Sequence, residues 1–319
     1  MTWQNSNKLY RNLIRNLNET NVLLEKLEDF NIDLDNIKRL FREDLDGIKD
    51  FDSILDNMNT FFKVLKKVIN EREQLKSELK IAEQIQETLI PDEAPEIEGF
   101  DIYPYFKAAR VVSGDYYDFI PISNNLMGLT IADVSGKGLP GSLVMSMVRS
   151  VLRFESRQNP FPSMVLREVC KVIAQDLRPG IFITMVYAIL NTVSKSISMV
   201  SAGHNPVLLY RSSEEEIMEI KPKGVGIGIG DEKFFEKHLF EEKFFLQSGD
   251  ILFFYTDGLN EAMNEKDEEF GLEKVKDIIL QNAEKSSKKI IELITEQVDK
   301  FRGDAPQNDD ITLLCLKTK

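Results

Sequence analysis

The stretch Leu129-Thr130-Ile131-Ala132-Asp133-Val134-Ser135-Gly136-Lys137-Gly138-Leu139-Pro140-Gly141 organises the chain. An apolar, β-branched run ends in an aspartate, small residues follow, and an apolar helical pattern takes over from Leu143 to Phe154. That order reads as strand, tight loop, helix. A carboxylate at a strand end is held by a rigid backbone, and the glycines let another group approach the main chain closely. Three further aspartates stand at the edges of apolar segments: Asp115 in Ser113-Gly114-Asp115-Tyr116-Tyr117-Asp118, Asp257 in Phe254-Tyr255-Thr256-Asp257-Gly258, and Asp309 in Asn308-Asp309-Asp310-Ile311-Thr312. Four carboxylates gathered in low dielectric repel one another unless a cation lies between them. They are the candidate ligands of a binuclear site. With oxygen ligands only, such a site selects Mg²⁺ or Mn²⁺ over zinc. The chain has two histidines, His204 and His238, which argues against a histidine-rich zinc or iron centre. Two metals can hold a hydroxide and align it for in-line attack on phosphorus.

Outward from these motifs, residues 101 to 316 alternate between short β-rich runs and helical patterns. The predicted strands are 101–109, 116–122, 126–133, 182–190, 196–201, 206–210, 251–255 and 311–316. Helical patterns cover 139–157, 162–177, 272–282 and 287–301. Most strands follow one another directly and the helices come in pairs, which predicts an α+β fold with antiparallel sheets covered by helices.

The region before Pro91 is helical by its three- and four-residue apolar spacing. Tyr10, Leu13, Leu17, Leu24 and Leu27 share one seam, residues 31–35 read as a break, and Leu34 to Ile48 form a second amphipathic stretch. From Phe51, heptad a and d sites run through Ile54, Met58, Phe61, Leu65, Val68, Arg72, Leu75, Leu79, Ala82 and Gln86 to Leu89, with only Arg72 and Gln86 polar. A seam of that length predicts a coiled coil that dimerises the chain, with a helical hairpin as the alternative. The expected organisation is a helical region 1–50, as sensor or dimerisation module, a coiled-coil linker 51–90, and a catalytic domain 91–319. Asp29 to Asp35 do not form an EF-hand, because Leu34 and Leu40 stand where glycine and glutamate are required.

A formal charge of −13 argues against nucleic acid or an anionic membrane as partner. The longest apolar run, near 181–190, is too short to span a bilayer. The N-terminus lacks a secretory core, and Cys170 and Cys315 read as buried thiols in a reducing interior. A cytoplasmic location is the expectation. No serine-nucleophile elbow or P-loop is present. Gly224-Val225-Gly226-Ile227-Gly228-Ile229-Gly230 departs from dinucleotide spacing and reads as a tight chain crossing. His204 reads as a hydrogen-bonded turn residue.

Five motifs in order carry a resemblance: Val112-Ser113-Gly114-Asp115-Tyr116-Tyr117-Asp118-Phe119, Ala132-Asp133-Val134-Ser135-Gly136-Lys137-Gly138, Ser201-Ala202-Gly203-His204-Asn205-Pro206, Tyr255-Thr256-Asp257-Gly258 with Glu261 and Ala262, and Asp309-Asp310-Ile311-Thr312. Together with the entry segment Ala82 to Pro91, they resemble the metal-dependent protein phosphatases of type 2C, in their bacterial sporulation and general-stress (stage II sporulation E-like) branch. The resemblance spans roughly residues 80 to 319. It implies a four-layer αββα sandwich of two antiparallel sheets, two Mn²⁺ or Mg²⁺ ions, and hydrolysis of phosphoserine or phosphothreonine on a regulatory protein, usually an anti-sigma-factor antagonist. It also implies that Asp133 bridges both metals, the Val134 carbonyl contributes, Asp115 serves one metal, and Asp257 and Asp309 serve the other. Asp133 and Asp115 are thus the expected catalytic residues, with Asp118, Gly258 and Asp310 as neighbours. No arginine clearly matches the phosphate clamp of eukaryotic relatives, although Arg110 is near. The competing reading is a catalytically inactive, phosphatase-like binding module in a signalling pathway. A further reading makes the N-terminal helices a signal-input device.

Overall fold

A computed structural model describes residues 51–319, with side chains from Lys63 onward. The expected helices and break within residues 1–50 lie outside the described residues. Helix α1 (Phe51–Leu89) is continuous over 39 residues. On its predicted seam, Val68 and Leu75 are exposed, whereas Gln86 is buried. The chain divides between Ser77 and Glu78, so the last part of α1 groups with the β-rich unit.

That unit contains strands β1 (Phe100–Lys107), β2 (Tyr116–Ser123), β3 (Leu126–Val134), β4 (Ile183–Asn191), β5 (Ser196–Ala202), β6 (Val207–Arg211), β7 (Glu216–Ile220), β8 (Glu241–Phe245), β9 (Ile251–Tyr255) and β10 (Ile311–Thr318). Helices α2 (Leu139–Ser156), α3 (Pro162–Ile173), α4 (Glu232–Lys237), α5 (Asp257–Asn260), α6 (Leu272–Gln281) and α7 (Ser287–Arg302) complete it. Two five-stranded sheets form, in orders β1-β10-β9-β6-β7 and β2-β3-β4-β5-β8. Neighbouring strands in both are antiparallel. Helices α2 and α3 cover the second sheet, and α6 and α7 cover the first. The α+β sandwich expected from the sequence is the architecture found.

Burial explains why the central strands read as unbroken apolar runs. In β9 and β10, Leu252, Phe254, Leu314 and Leu316 face the core between the sheets. Their neighbours Ile251, Phe253, Leu313 and Cys315 face the core under α6 and α7. A strand covered on both faces has no solvated side to fill with polar residues. The sequence reading missed β7 and β8, because Glu216-Ile217-Met218-Glu219-Ile220 and Glu241-Glu242-Lys243-Phe244-Phe245 are charged edge strands, which blunt unwanted pairing at the sheet margins. It also missed the short helix α4, capped by the Asp231 side chain accepting from Phe234 N–H. Helix α3 ends at Ile173, earlier than the predicted 177.

The glycine-rich segment 224–230 is a tight crossing, as expected. A Cβ at residue 224 would lie 1.5 Å from the Ser201 carbonyl oxygen, and one at residue 228 would lie 2.8 Å from that of Ile181. Cys170 and Cys315 are free and buried. Among the described residues no helix is long and apolar enough to cross a membrane.

Asp118 is fully buried beneath α2. It accepts two hydrogen bonds from Arg153, at 2.5 and 2.6 Å, and a third from the Tyr116 hydroxyl. Its role is therefore structural. Removing one partner of a buried pair strands the other charge. Arg153→Met is expected to cost about 2–3 kcal/mol in urea unfolding, with Asp118→Asn in the same chain recovering part of the loss.

Candidate metal centre

Three of the four strand-edge aspartates are placed by local devices. Asp133 ends β3, in register with Thr184 of β4. The loop after it is pinned to Phe182 by two hydrogen bonds: Ser135 N–H donates to the Phe182 carbonyl at 2.9 Å, and Phe182 N–H donates to Ser135 Oγ at 2.7 Å. Asp257 opens α5, directly after β9. Gly258 lets that turn lie on the end of β10, since a Cβ there would come within 2.0 Å of the Asp310 carbonyl oxygen. Asp115 sits just before β2, where Gly114 lies against the Val134 carbonyl; a Cβ at 114 would be 2.9 Å from that oxygen.

Asp115 is almost wholly buried. Its Oδ2 accepts from the Thr256 hydroxyl at 2.8 Å and from the Thr312 hydroxyl at 2.6 Å. Thr312 lies in β10 and Thr256 directly follows β9, so the carboxylate ahead of β2 is tied to the opposite layer. Burial, followed by repulsion from Asp133, pushes its carboxyl well above the usual carboxylate range, while the two hydroxyls oppose the shift. Burial also pushes the Asp133 carboxyl up to about 7, with Asp257, Asp309 and Asp310 adding like-charge repulsion and Lys137 opposing it. Asp257 is raised by burial and by Asp309. Each aspartate therefore lies in the field of at least one other, which is the convergence expected from the sequence.

The cation at this cluster is Lys137, whose Nζ lies 2.7 Å from Asp309 Oδ2 and donates to the Asn308 carbonyl at 2.7 Å. No three acidic, histidine or cysteine side chains among the described residues are gathered closely enough to hold one ion together. The Val134 carbonyl is oriented towards Gly114. Arg110 is exposed and its side chain lies beside Gly138, on the rim of the cluster.

Several supporting roles escaped the sequence reading. Asp310 is a scaffold: its Oδ1 accepts from Ala109 N–H at 2.7 Å, and its Oδ2 accepts from the Ser113 hydroxyl at 2.6 Å and Gly114 N–H at 3.1 Å. Ser113 Oγ in turn accepts from Asp115 N–H at 2.9 Å. Gln86 at the end of α1 clamps the same residue, its Nε2 donating to the Ser113 carbonyl at 2.8 Å and its Oε1 accepting from Ser113 N–H at 2.9 Å. The polar interruption of the heptad at Gln86 is the one signal of this contact that the sequence carried.

Comparison with known proteins agrees with this fold. The family model for stage II sporulation protein E (SpoIIE) matches residues 123–319. Phosphoserine phosphatase RsbU of Bacillus subtilis (strain 168) is 31% identical over 253 residues, covering 78% of this chain and 72% of its own. Among solved structures, the SiaA-PP2C domain of Pseudomonas aeruginosa superposes with a TM-score of 0.68 at 21% identity, covering 78% of this chain and 98% of that one. RsbX, crystallised in complex with magnesium, superposes with a TM-score of 0.52 at 14% identity, covering 70% of this chain and 98% of that one. The chain belongs to the stage II sporulation protein E family and carries its PP2C-type protein serine/threonine phosphatase domain.

Proposed function

We propose that this phosphatase hydrolyses phosphoserine or phosphothreonine on a regulatory protein through a binuclear Mn²⁺ or Mg²⁺ centre held by Asp115, Asp133, Asp257 and Asp309, with Val134 contributing its carbonyl. The observation that carries the reading is the mutual repulsion of carboxylates on two sheets, opposed at Asp133 and Asp257 by Lys137. The donor set fits hard cations, because it is oxygen-only. When bound, the metals supply a nucleophilic hydroxide and charge neutralisation at phosphorus.

The chain's own residues do the rest. Thr256 and Thr312 orient Asp115 by hydrogen bonds to Oδ2. Asp310 and Gln86 fix Ser113, and with it the backbone that carries Asp115. Lys137 and Arg110 place positive charge on the rim where a phosphate dianion arrives. Aspartate at all four ligand positions that the resemblance implies favours a working enzyme over an inactive binding module.

The similarity to RsbU supports a phosphorylated regulatory protein as substrate, in this branch an anti-sigma-factor antagonist. Residues 1–50 serve in this reading as sensor or dimerisation module, 51–90 as coiled-coil linker and 91–319 as the phosphatase domain. The exposed Val68 and Leu75 of α1 suit homodimerisation through that helix. Neither nucleic acid nor membrane is a partner in this proposal, and its location is the cytoplasm.

Hydrolysis of a generic phosphate ester should require Mn²⁺ or Mg²⁺. It should fall by about a hundredfold or more on chelation, and likewise in Asp133→Asn. Turnover that survives both treatments contradicts the metal mechanism.

Metal and pH should also be linked. The folded chain holds the Asp133 proton to about pH 7, far above the 3.8 usual for an aspartate. Its contribution to stability is therefore complete below about pH 4 and is lost as pH rises through 7, a change on the order of 4 kcal/mol in protein stripped of metal. Mn²⁺ should raise the unfolding temperature more at pH 8 than at pH 5. In Asp133→Asn the metal-free pH dependence should flatten.

A further inference from the structure

His204 is 4% exposed, and nothing in the proposed mechanism uses it. It follows Gly203, whose φ of +69° and close approach to Gly226 turn the chain at the end of β5; a Cβ at 203 would lie 2.8 Å from Gly226 N. The turn sends the imidazole inward. His204 Nδ1 is 2.8 Å from the Thr184 hydroxyl, and its backbone N–H donates to Ser201 Oγ at 3.2 Å. Nε2 is buried without a hydrogen-bond partner of ordinary geometry. The backbone of Tyr255, two residues before Asp257, acts on the same ring and favours its protonated form. Burial outweighs this and pushes the imidazole down to about 4, so the ring is neutral near pH 7.

Thr184 links this histidine to the carboxylate cluster. It stands opposite Asp133 in the β3–β4 register, so the two side chains leave the sheet on the same face. Directly opposed residues have Cβ atoms about 5 Å apart. A threonine side chain has few χ1 choices, and a hydrogen bond to its hydroxyl fixes which γ group faces its neighbour. Asp115 already shows the same construction, resting on the hydroxyls of Thr256 and Thr312.

We propose that Thr184 and His204 form a positioning pair for Asp133. The buried imidazole locks the Thr184 hydroxyl, and Thr184 restricts the Asp133 carboxylate to the orientation in which it binds a divalent cation. This rests on the metal reading above.

The test is calorimetric titration of Mn²⁺ into the chelator-stripped full chain, with the metal-free unfolding temperature recorded for each variant. Thr184→Val keeps the shape and removes the hydroxyl, Thr184→Ser restores it, and His204→Ala removes the lock. Thr184→Val and His204→Ala should each weaken Mn²⁺ binding by about tenfold, as loss of supporting contacts around metal ligands does elsewhere. Thr184→Ser should stay close to the parent. Thr184→Val binding Mn²⁺ as tightly as the parent overturns the pair, and so does Thr184→Ser failing as badly as valine, since that marks a packing role. Should His204→Ala not fold, the valine–serine comparison decides alone. A parent chain that binds no Mn²⁺ overturns the metal reading, and this inference with it.

Discussion

The structure is built around a repulsion. Carboxylates from the ends of β3, β9 and β10 and from the lead-in to β2 are held where two sheets meet, and burial raises the cost of ionising Asp115, Asp133 and Asp257. A fold relaxes such a cluster if it can, by turning the side chains towards water. Here the surrounding backbone prevents that. Gly258 seats the Asp257 turn on Asp310, and Gly114 seats the Asp115 segment on Val134. The energy needed to keep the cluster together comes from the apolar layers on either side, which bury β9 and β10 on both faces.

Polar support follows a division of labour. Asp115 is the deepest of the set and rests on two threonine hydroxyls from the opposite layer. Asp310, named from the sequence only as a neighbour of the ligands, has both its oxygens occupied with backbone and hydroxyl donors. It fixes the loop that presents Asp115. Gln86 reaches the same loop from α1 through Ser113. A change in the position of that helix end would thus be felt two residues from Asp115, which gives the region before the sandwich a physical route to the site.

The fold was legible where burial is two-sided. Ile251 to Tyr255 and Ile311 to Leu316 are continuous apolar runs because both faces are covered, and their boundaries fell within two residues of those found. The edge strands β7 and β8 were not legible, since a half-exposed margin rich in glutamate and lysine looks like a loop. In the site, the aspartates stood out because a charge at the end of an apolar strand breaks a pattern. Their supports did not, because Ser113, Thr184, Thr256 and Thr312 are residue types common in any strand or turn. Their meaning lies in partners up to 197 residues away in sequence. The histidine motif could be read as a turn, and the structure agrees, but its link to Thr184 needed the third dimension.

The most direct test of the central claim is an anomalous difference map, recorded at the manganese absorption edge from crystals of the full chain grown with Mn²⁺. Two peaks among Asp115, Asp133, Asp257 and Asp309, with the Lys137 ammonium displaced from Asp309, are the expected result. Peaks elsewhere on the surface, or no ordered manganese with Lys137 still seated on Asp309, would contradict the account.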